Sequence, residues 1–163
     1  MNCSFTPLSE EDRKPVMDIF NHYVENSFAA YPESKLPYEA FDMFLRMSEG
    51  YPRVAVKDEK GEVIGFGMLR PYHPMQTFSH TAEASYFISP DHTGREIGKD
   101  LLAHFEAEAR KMGITSILVN ISSLNPVSIS FHRKNGFREC GRLKGVCRKN
   151  GRDIDVIWMQ KMI

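Results

Sequence analysis

A polar segment in the middle of the chain, residues 89–102 (SPDHTGREIGKDLL), carries glycines and a lysine in an arrangement typical of anion-binding turns. The pattern of nucleotide-triphosphate loops, G-x-x-x-x-G-K-[ST], has four residues between its glycines and a hydroxyl residue after the lysine. Here three residues separate Gly94 from Gly98, and Asp100 follows Lys99. Spacing and chemistry therefore exclude a triphosphate loop.

The same segment connects a predicted strand, residues 81–89, to a helix predicted to start near Glu96 and to end at Gly113. The first N–H groups of a helix have no partner within it, and the helix dipole favours negative charge there. Arg95 and Lys99 add positive charge, and nothing nearby suits magnesium. The segment therefore indicates a diphosphate already attached to a carrier, as in coenzyme A. The alternative for the glycines is a tight turn that lets the helix pack closely on the sheet.

The whole chain alternates between helical and strand patterns of apolar residues. Helices are predicted over residues 9–25, 37–50, 96–112 and 125–135. Strands are predicted over residues 3–6, 53–58, 62–70, 81–89, 115–122, 137–143 and 153–162. This order predicts an α/β (α+β) fold, a single domain over residues 1–163 in which helices on both faces cover a mixed, largely antiparallel sheet.

The composition of the 163-residue chain is that of a globular domain, with 42% hydrophobic and 26% charged residues. Lys plus Arg and Asp plus Glu both number 21, so no overall field favours nucleic acid or an anionic membrane as a partner. The three cysteines match no metal-site spacing and indicate a reducing, cytoplasmic setting. The first residues (MNCSFTPLSEED) predict no signal peptide, and no apolar run predicts a membrane span.

Basic residues are concentrated in the last third of the chain. They are Arg133, Lys134, Arg138, Arg142, Lys144, Arg148, Lys149 and Arg152. This concentration of positive charge is typical of a solvated basic face or of an anion site, and the sequence does not distinguish the two.

The run TAEASYFISPDHTGREIGKDLL, residues 81–102, resembles the coenzyme A-binding segment of the GNAT superfamily of acetyltransferases. Five stretches together resemble the phosphinothricin acetyltransferase branch: DIFNHYVENSFAAYPES, the Thr-x-Glu of TAEAS, the cofactor loop, NPVSISFHRKNGF and GRLKGVCRKNGRDIDVIWMQ. They follow the family order over nearly the whole chain. The resemblance implies a homodimeric, acetyl-CoA-dependent N-acetyltransferase whose acceptor is the amine of a small amino acid or analogue, such as phosphinothricin or methionine sulfoximine or sulfone.

The family's loop signature, [QR]-x-x-G-x-[GA], falls on residues 93–98 with two departures. Thr93 replaces the usual Gln or Arg, and Glu96 replaces the middle glycine. A Glu96 side chain in solvent leaves the backbone cradle intact, whereas one pointing inward repels the diphosphate. By resemblance the coenzyme A site comprises Tyr86, Phe87, Ile88, Thr93, Gly94, Arg95, Glu96, Ile97, Gly98, Lys99 and Asn125. The first three are expected to contribute backbone groups while their side chains are core, and Asn125 is also expected to cap its helix.

Transfer of an acetyl group to an amine requires a base, because a free α-amine has a pKa of about 7.7–8.0 and is mostly protonated at neutral pH. Glu83 lies within the weakly polar stretch Ala82-Glu83-Ala84, where a carboxylate is partly desolvated. The resemblance assigns the glutamate of the Thr-x-Glu element the role of base, acting through a water. The alternative is a glutamate on the exposed face of the strand.

The departing thiolate leaves more easily when an acid protonates it. Many GNAT enzymes carry a tyrosine as general acid five residues before the phenylalanine of a terminal Gly-Phe. Counted back from Gly136-Phe137, that place holds His132, as in the phosphinothricin branch. His132 is expected to donate to the thiolate or to share the base work with Glu83. The alternative is a surface histidine on a short basic helix.

The acceptor is expected to enter beside the loop from Phe28 to Tyr31 and the stretch from Arg70 to His73. Arg70 is a candidate partner for a substrate carboxylate, with an exposed arginine at a strand end as the alternative. An acyl-enzyme on Cys140 or Cys147 is disfavoured because family members transfer directly. The substrate-binding candidates are Phe28, Tyr31, Arg70 and Tyr72, and no metal site is predicted.

Other functions stay open at this point. A polyamine or a protein N-terminus is an alternative acceptor, and an acidic pocket would favour the polyamine. The departures at Thr93 and Glu96 suggest a second alternative, a non-catalytic domain that binds acyl-CoA as a sensor. Retention of both Glu83 and His132 argues against the sensor.

Overall fold

The computed structural model describes residues 3–163 of the chain, with seven strands and four α-helices in the predicted order. The strands are β1 (Ser4–Pro7), β2 (Arg53–Lys57), β3 (Val63–Pro71), β4 (Thr81–Ile88), β5 (Ser116–Ser122), β6 (Arg138–Lys149) and β7 (Arg152–Met162). The helices are α1 (Arg13–Asn26), α2 (Phe41–Met47), α3 (Ile97–Lys111) and α4 (Pro126–Lys134). Short 3-10 turns occupy the predicted starts of the first two helices, at Glu10–Asp12 and Tyr38–Ala40.

All seven strands belong to one sheet, in the order β1-β2-β3-β4-β5-β7-β6. Every neighbouring pair is antiparallel except β4 and β5, which are parallel and are joined through α3. The predicted mixed, largely antiparallel sheet is therefore confirmed.

Helices cover both faces of the sheet because side chains of a strand point alternately to opposite faces. Val54 and Val56 of β2 pack in the cluster that contains Leu101 of α3. Ala55, between them, packs in the other cluster, together with Met17 of α1 and residues of α2. The predicted covering of both faces is confirmed, and α3 is held firmly against the centre of the sheet.

The two parallel strands separate part of the way along their length. The β4–β5 ladder joins Thr81, Ala82 and Glu83 to residues 116–118 and ends there. Beyond this point β4 continues to pair with β3, and β5 with β7. The second halves of β4 and β5 therefore border a gap in the middle of the sheet, where the backbone groups that face the gap have no partner in the opposite strand.

Strand β6 is longer than predicted. The sequence pattern ends it at residue 143, but the strand continues to Lys149. Its register on β7 shifts twice, between Glu139 and Gly141 and between Leu143 and Cys147. Such bulges destroy the period-two alternation by which a strand is recognised, and this edge strand is largely exposed. The prediction for its second half was therefore wrong.

Neither a membrane-crossing helix nor a group of metal ligands occurs within residues 3–163. No helix there is both long and apolar enough to span a bilayer. No three His, Cys, Asp or Glu side chains of that range are grouped to hold a metal ion. Cys3, Cys140 and Cys147 are free thiols.

Candidate active site

A cleft of about 810 Å³ opens at the gap between β4 and β5. This volume lies in the range of about 300–1,000 Å³ that small-molecule sites occupy. The walls are formed by residues 83–88 of β4, residues 119–122 of β5, the turn before α3, the start of α4 and the segment after α1. The cleft therefore reaches from the N-terminus of α3 through the gap to the loop that follows α1.

One end of the cleft is the turn that leads into α3. Gly94 adopts a φ of +75°, and Glu96 caps the helix with a φ of +62°. The first backbone hydrogen bonds of the helix run from the N–H groups of Lys99 and Asp100 to the Glu96 carbonyl. Ile97 and Gly98 line the cleft, and their N–H groups come before the first N–H that bonds within the helix. They are therefore available to an anion, as a diphosphate site requires.

The Glu96 side chain is directed into solvent, with 76% of it exposed, and its carboxylate lies 3.5 Å from Nζ of Lys99. It therefore leaves the backbone cradle intact. Nδ1 of His92, a cleft residue that the sequence analysis missed, is buried without a hydrogen-bond partner among the described residues. The turn fits the diphosphate of coenzyme A because it offers free N–H donors and because the Glu96 carboxylate points into solvent.

The gap between the strands fits the pantetheine arm, because the backbone groups that face the gap can hydrogen-bond an amide-bearing chain. Of the three β4 residues predicted here, Phe87 packs its ring against Phe20 and Phe66. The Ile88 carbonyl accepts a hydrogen bond of 2.5 Å from the Tyr23 hydroxyl, which anchors α1 to the end of β4. The gap is thus framed by well-packed side chains, as expected.

Glu83 is the last residue of β4 before the strands separate, and it is only 6% exposed. Its Oε1 accepts a 2.6 Å hydrogen bond from Nη2 of Arg70, the residue opposite it on β3. The same oxygen accepts a short hydrogen bond from Nδ2 of Asn120 on β5. Its burial contradicts the alternative of an exposed strand residue and leaves a carboxylate held in one orientation at the edge of the gap.

Asn120 extends this arrangement to the loop after α1. Its Oδ1 accepts a 3.1 Å hydrogen bond from the hydroxyl of Tyr31. Burial raises the pKa of Tyr31 to about 12, so that its hydroxyl keeps its hydrogen at neutral pH. Asn120 was not predicted as a site residue, although a lone amide inside the apolar run TSILVNIS was the signal that could have identified it.

His132 lies on α4, is 5% exposed and faces the cleft, which contradicts the alternative of a surface histidine. Its Nδ1 lies 2.8 Å from the carbonyl oxygen of Ser128, and its Nε2 lies 2.7 Å from the hydroxyl of Tyr86. Because a carbonyl only accepts, Nδ1 carries the hydrogen and Nε2 accepts from Tyr86.

Burial in this environment lowers the pKa of His132 and raises the pKa of Tyr86. At neutral pH the pair is therefore a neutral imidazole and a protonated phenol. In this state His132 can take up a proton at Nε2 but has none to donate there. The geometry therefore favours the predicted share in base work over the predicted role as a direct acid. The Tyr86 ring packs against Phe105 and Phe131 as expected of core, but its hydroxyl belongs to the site.

Asn125 caps α4, as predicted, because its Oδ1 accepts a hydrogen bond of 3.2 Å from the N–H of Ser128. Asn125 also lines the cleft. Of the other predicted residues, Tyr31, Arg70, Thr93 and Lys99 line the cleft as well.

Three predicted site residues lie outside the wall of the cleft formed by residues 3–163. Phe28 packs under the guanidinium of Arg152, whose Cζ lies 5.1 Å from the centre of the Phe28 ring. Tyr72 packs against other aromatic rings near the end of β3. Arg95 is exposed on the turn before α3. The roles predicted for these three residues therefore stay predictions that the wall of the cleft does not support.

This fold and site define a class. Residues 16–137 match the model of the Acetyltransferase (GNAT) family, and the chain belongs to that family. The membership confirms the predicted acetyl-CoA-dependent N-acetyltransferase. The chain is 30% identical to an L-methionine sulfoximine/L-methionine sulfone acetyltransferase of Pseudomonas paraeruginosa, over 98% of this chain and 94% of that protein.

Two solved structures are similar over the whole chain. One is a phosphinothricin acetyltransferase of Sinorhizobium meliloti in complex with acetyl-CoA, with 28% identity, a TM-score of 0.91 and coverage of 100% of this chain and 89% of that one. The other is a ribosomal-protein-alanine N-acetyltransferase of Brucella melitensis, with 33% identity, a TM-score of 0.88 and full coverage of both chains, 100% each. The predicted branch is therefore represented among the relatives.

Proposed function

We propose that this acetyltransferase acetylates the α-amine of a small amino acid or analogue of the methionine sulfoximine and phosphinothricin type. The observation that carries the proposal is the buried, doubly hydrogen-bonded Glu83 at the point where β4 and β5 separate. A base in this position meets an amine that enters from the side of Tyr31 and Arg70. The similarity to a methionine sulfoximine acetyltransferase supports the acceptor class.

Acetyl-CoA, when bound, supplies the acetyl group activated as a thioester. We expect the N–H groups of Ile97 and Gly98, which precede the first hydrogen bonds of α3, to hold its diphosphate. We expect the backbone of Tyr86, Phe87 and Ile88 to hold the pantetheine arm together with Asn125, since all four residues line the cleft. Such contacts would orient the donor relative to Glu83, and holding two reactants together speeds their reaction through proximity.

Two protons must leave the acceptor nitrogen, and one of them ends on the departing sulfur. Glu83 takes the first proton, directly or through a water, because a protonated amine does not attack. The Tyr86–His132 pair takes the second: the Tyr86 hydroxyl relays it to Nε2 of neutral His132 and later returns it to the thiolate. Shared base work followed by acid work is consistent with the lowered pKa of His132.

Arg70 has a double role in this proposal. Its Nη2 holds Glu83, and its remaining N–H groups are available to the carboxylate of an amino-acid acceptor. Tyr31 forms the neighbouring wall of the acceptor end. An arginine at this position disfavours a polyamine, which is itself a cation.

The acceptor class is tested by release of the free thiol from acetyl-CoA in the presence of a panel of amines. The panel contains methionine sulfoximine, methionine sulfone, phosphinothricin, spermidine and a peptide with an N-terminal alanine, with a reaction without enzyme as the control for enzyme-independent release. Turnover of the amino-acid analogues supports the proposal. Preference for the peptide favours the activity named for the Brucella relative, and binding of acetyl-CoA without turnover of any amine favours a sensor.

We also propose that the chain acts as a cytoplasmic homodimer. The resemblance to phosphinothricin acetyltransferases supports the dimer, and the three free thiols are consistent with a reducing compartment. Light scattering on the purified chain tests the first point, and fractionation of expressing cells tests the second. A monomer at micromolar concentration contradicts the dimer.

A further inference from the structure

Lys149, the last residue of β6, is completely buried, although its neighbours in sequence form the basic stretch near the end of the chain. Its Nζ donates three hydrogen bonds to backbone carbonyl oxygens. The acceptors are Val24 at 2.7 Å, Ser27 at 2.8 Å and Ala30 at 2.7 Å. All three ammonium hydrogens are therefore used, and the lysine is not part of a solvated face or an anion site.

The three carbonyls belong to the end of α1 and to the loop that follows it. Helix α1 ends at Asn26. The last carbonyl groups of a helix receive no hydrogen bond from within the helix, and they form the negative end of its dipole. A buried cation at this point satisfies them and draws the loop around itself. Burial also lowers the pKa of Lys149, in keeping with a desolvated ammonium held by dipoles.

We call residues 27–33 the acceptor segment, because Ala29, Ala30, Tyr31 and Pro32 line the cleft at the acceptor end. Through the Tyr31 hydroxyl the segment contacts Asn120, which in turn donates to Glu83. The β6–β7 hairpin holds the segment a second time, because the N–H of Asn150 donates to Oε1 of Glu33 at 2.8 Å. The β6–β7 hairpin thus holds the acceptor segment, which forms the wall of the cleft near Glu83.

We propose that Lys149 is a positioning residue for the acceptor amine, acting through the acceptor segment and Tyr31. This inference rests on the proposed function. Lys149 itself lies outside the cleft, and the elements it holds are separate from the α3 turn that receives the diphosphate. Loss of its ammonium therefore loosens the acceptor end and leaves the acetyl-CoA end unchanged.

The test compares Lys149→Met with Lys144→Met, an exposed lysine five positions earlier on the same strand. For Lys149→Met the KM of the acceptor is expected to rise about tenfold or more, with the KM of acetyl-CoA unchanged. For Lys144→Met neither constant is expected to change. An unchanged acceptor KM in Lys149→Met, or an equal rise in both constants, overturns the inference.

Lys149→Arg serves if the methionine variant does not fold. It keeps the charge, but a planar guanidinium cannot place three hydrogens on three converging carbonyls as an ammonium does. A rise in the acceptor KM alone supports the inference, and wild-type values for both constants overturn it.

Amide hydrogen exchange separates this inference from the proposed function. In the Lys149 variant that folds, the acceptor segment is expected to exchange faster, while α3 and the central strands keep their protection. Unchanged protection of the acceptor segment contradicts the inference, whatever the activity. A wild-type chain that turns over no amine contradicts the proposed function, and faster exchange in the variant still supports the structural role of Lys149.

Discussion

Arg70 and Glu83 lie opposite each other on β3 and β4, and Nη2 of Arg70 is 2.6 Å from Oε1 of Glu83. Asn120, from the third strand at this point, donates to the same oxygen. The candidate base is therefore oriented by a cation and an amide before any substrate arrives. Such preorganisation matters because a small misplacement of a reacting group costs a large part of the rate.

Replacement of Glu83 by glutamine is expected to lower kcat by about 10²-fold or more, which is the usual contribution of a general base. Glutamine keeps an oxygen that accepts from Arg70 and Asn120, so the fold and the affinity for acetyl-CoA are expected to stay unchanged. Steady-state kinetics and calorimetry with acetyl-CoA provide the measurement. Wild-type turnover in this variant would remove Glu83 from the mechanism.

Asn120→Ala is expected to lower kcat by about tenfold, less than the loss of the base itself, because Glu83 keeps only Arg70 as its partner. Tyr31→Phe is the matched control, since it removes only the hydroxyl that donates to Asn120. Its effect on kcat is expected to be smaller than that of Asn120→Ala. If both variants turn over as fast as the wild type, Asn120 does not orient the base.

Glu96 adopts the left-handed conformation, which costs a residue with a side chain about 1–2 kcal/mol and costs glycine little. Glu96→Gly is therefore expected to stabilise the fold by up to about 1 kcal/mol, since the greater freedom of glycine in the unfolded chain offsets part of the gain. It also removes a carboxylate from the neighbourhood of the diphosphate and is expected to tighten acetyl-CoA binding.

Glu96→Ala separates the two effects of the Glu96→Gly substitution. Alanine removes the charge but keeps the unfavourable φ, so it is expected to tighten acetyl-CoA binding without stabilising the fold. Urea unfolding and calorimetry measure the two quantities. Equal unfolding free energies for the glycine and alanine variants would contradict the net stabilisation expected of glycine at a φ of +62°.

Burial lowers the pKa of His132 below its ordinary value of 6.5. Below pH 6.5 the unfolded chain therefore binds a proton at this position before the folded protein does, and the free energy of unfolding decreases as the pH falls. The contribution is fully present above pH 6.5 and is lost as the pH falls through the folded pKa.

His132→Gln is expected to reduce the pH dependence of the free energy of unfolding. Urea unfolding at pH 5 and pH 7, a range of about two units around the histidine pKa, provides the measurement. His22→Gln, at an exposed position on α1, is the control and is expected to leave the dependence unchanged. A His132→Gln variant that loses as much stability as the wild type between these pH values contradicts a buried neutral imidazole.

The sequence predicted most elements because their patterns are local. The helical spacing of Leu101, Phe105 and Ala109 and the polar turn before them predict α3 and its free N-terminal amides. The second half of β6 was missed because its bulges and glycines have no regular period. Phe28 and Tyr72 were predicted as acceptor contacts from their places in the chain, and neither residue belongs to the wall of the cleft.

The residue types in the sequence determined which chemistry was available: a carboxylate in a weakly polar strand, a histidine on a short helix and a glycine-containing turn at a helix start. Only the tertiary structure decided the partners of these groups. It paired Glu83 with Arg70 and Asn120, paired His132 with Tyr86 and buried Lys149 against carbonyls up to 125 residues away. Hydrogen-bonding capacity belongs to a residue, whereas its partners depend on strand register and packing, which are set by contacts between distant parts of the chain.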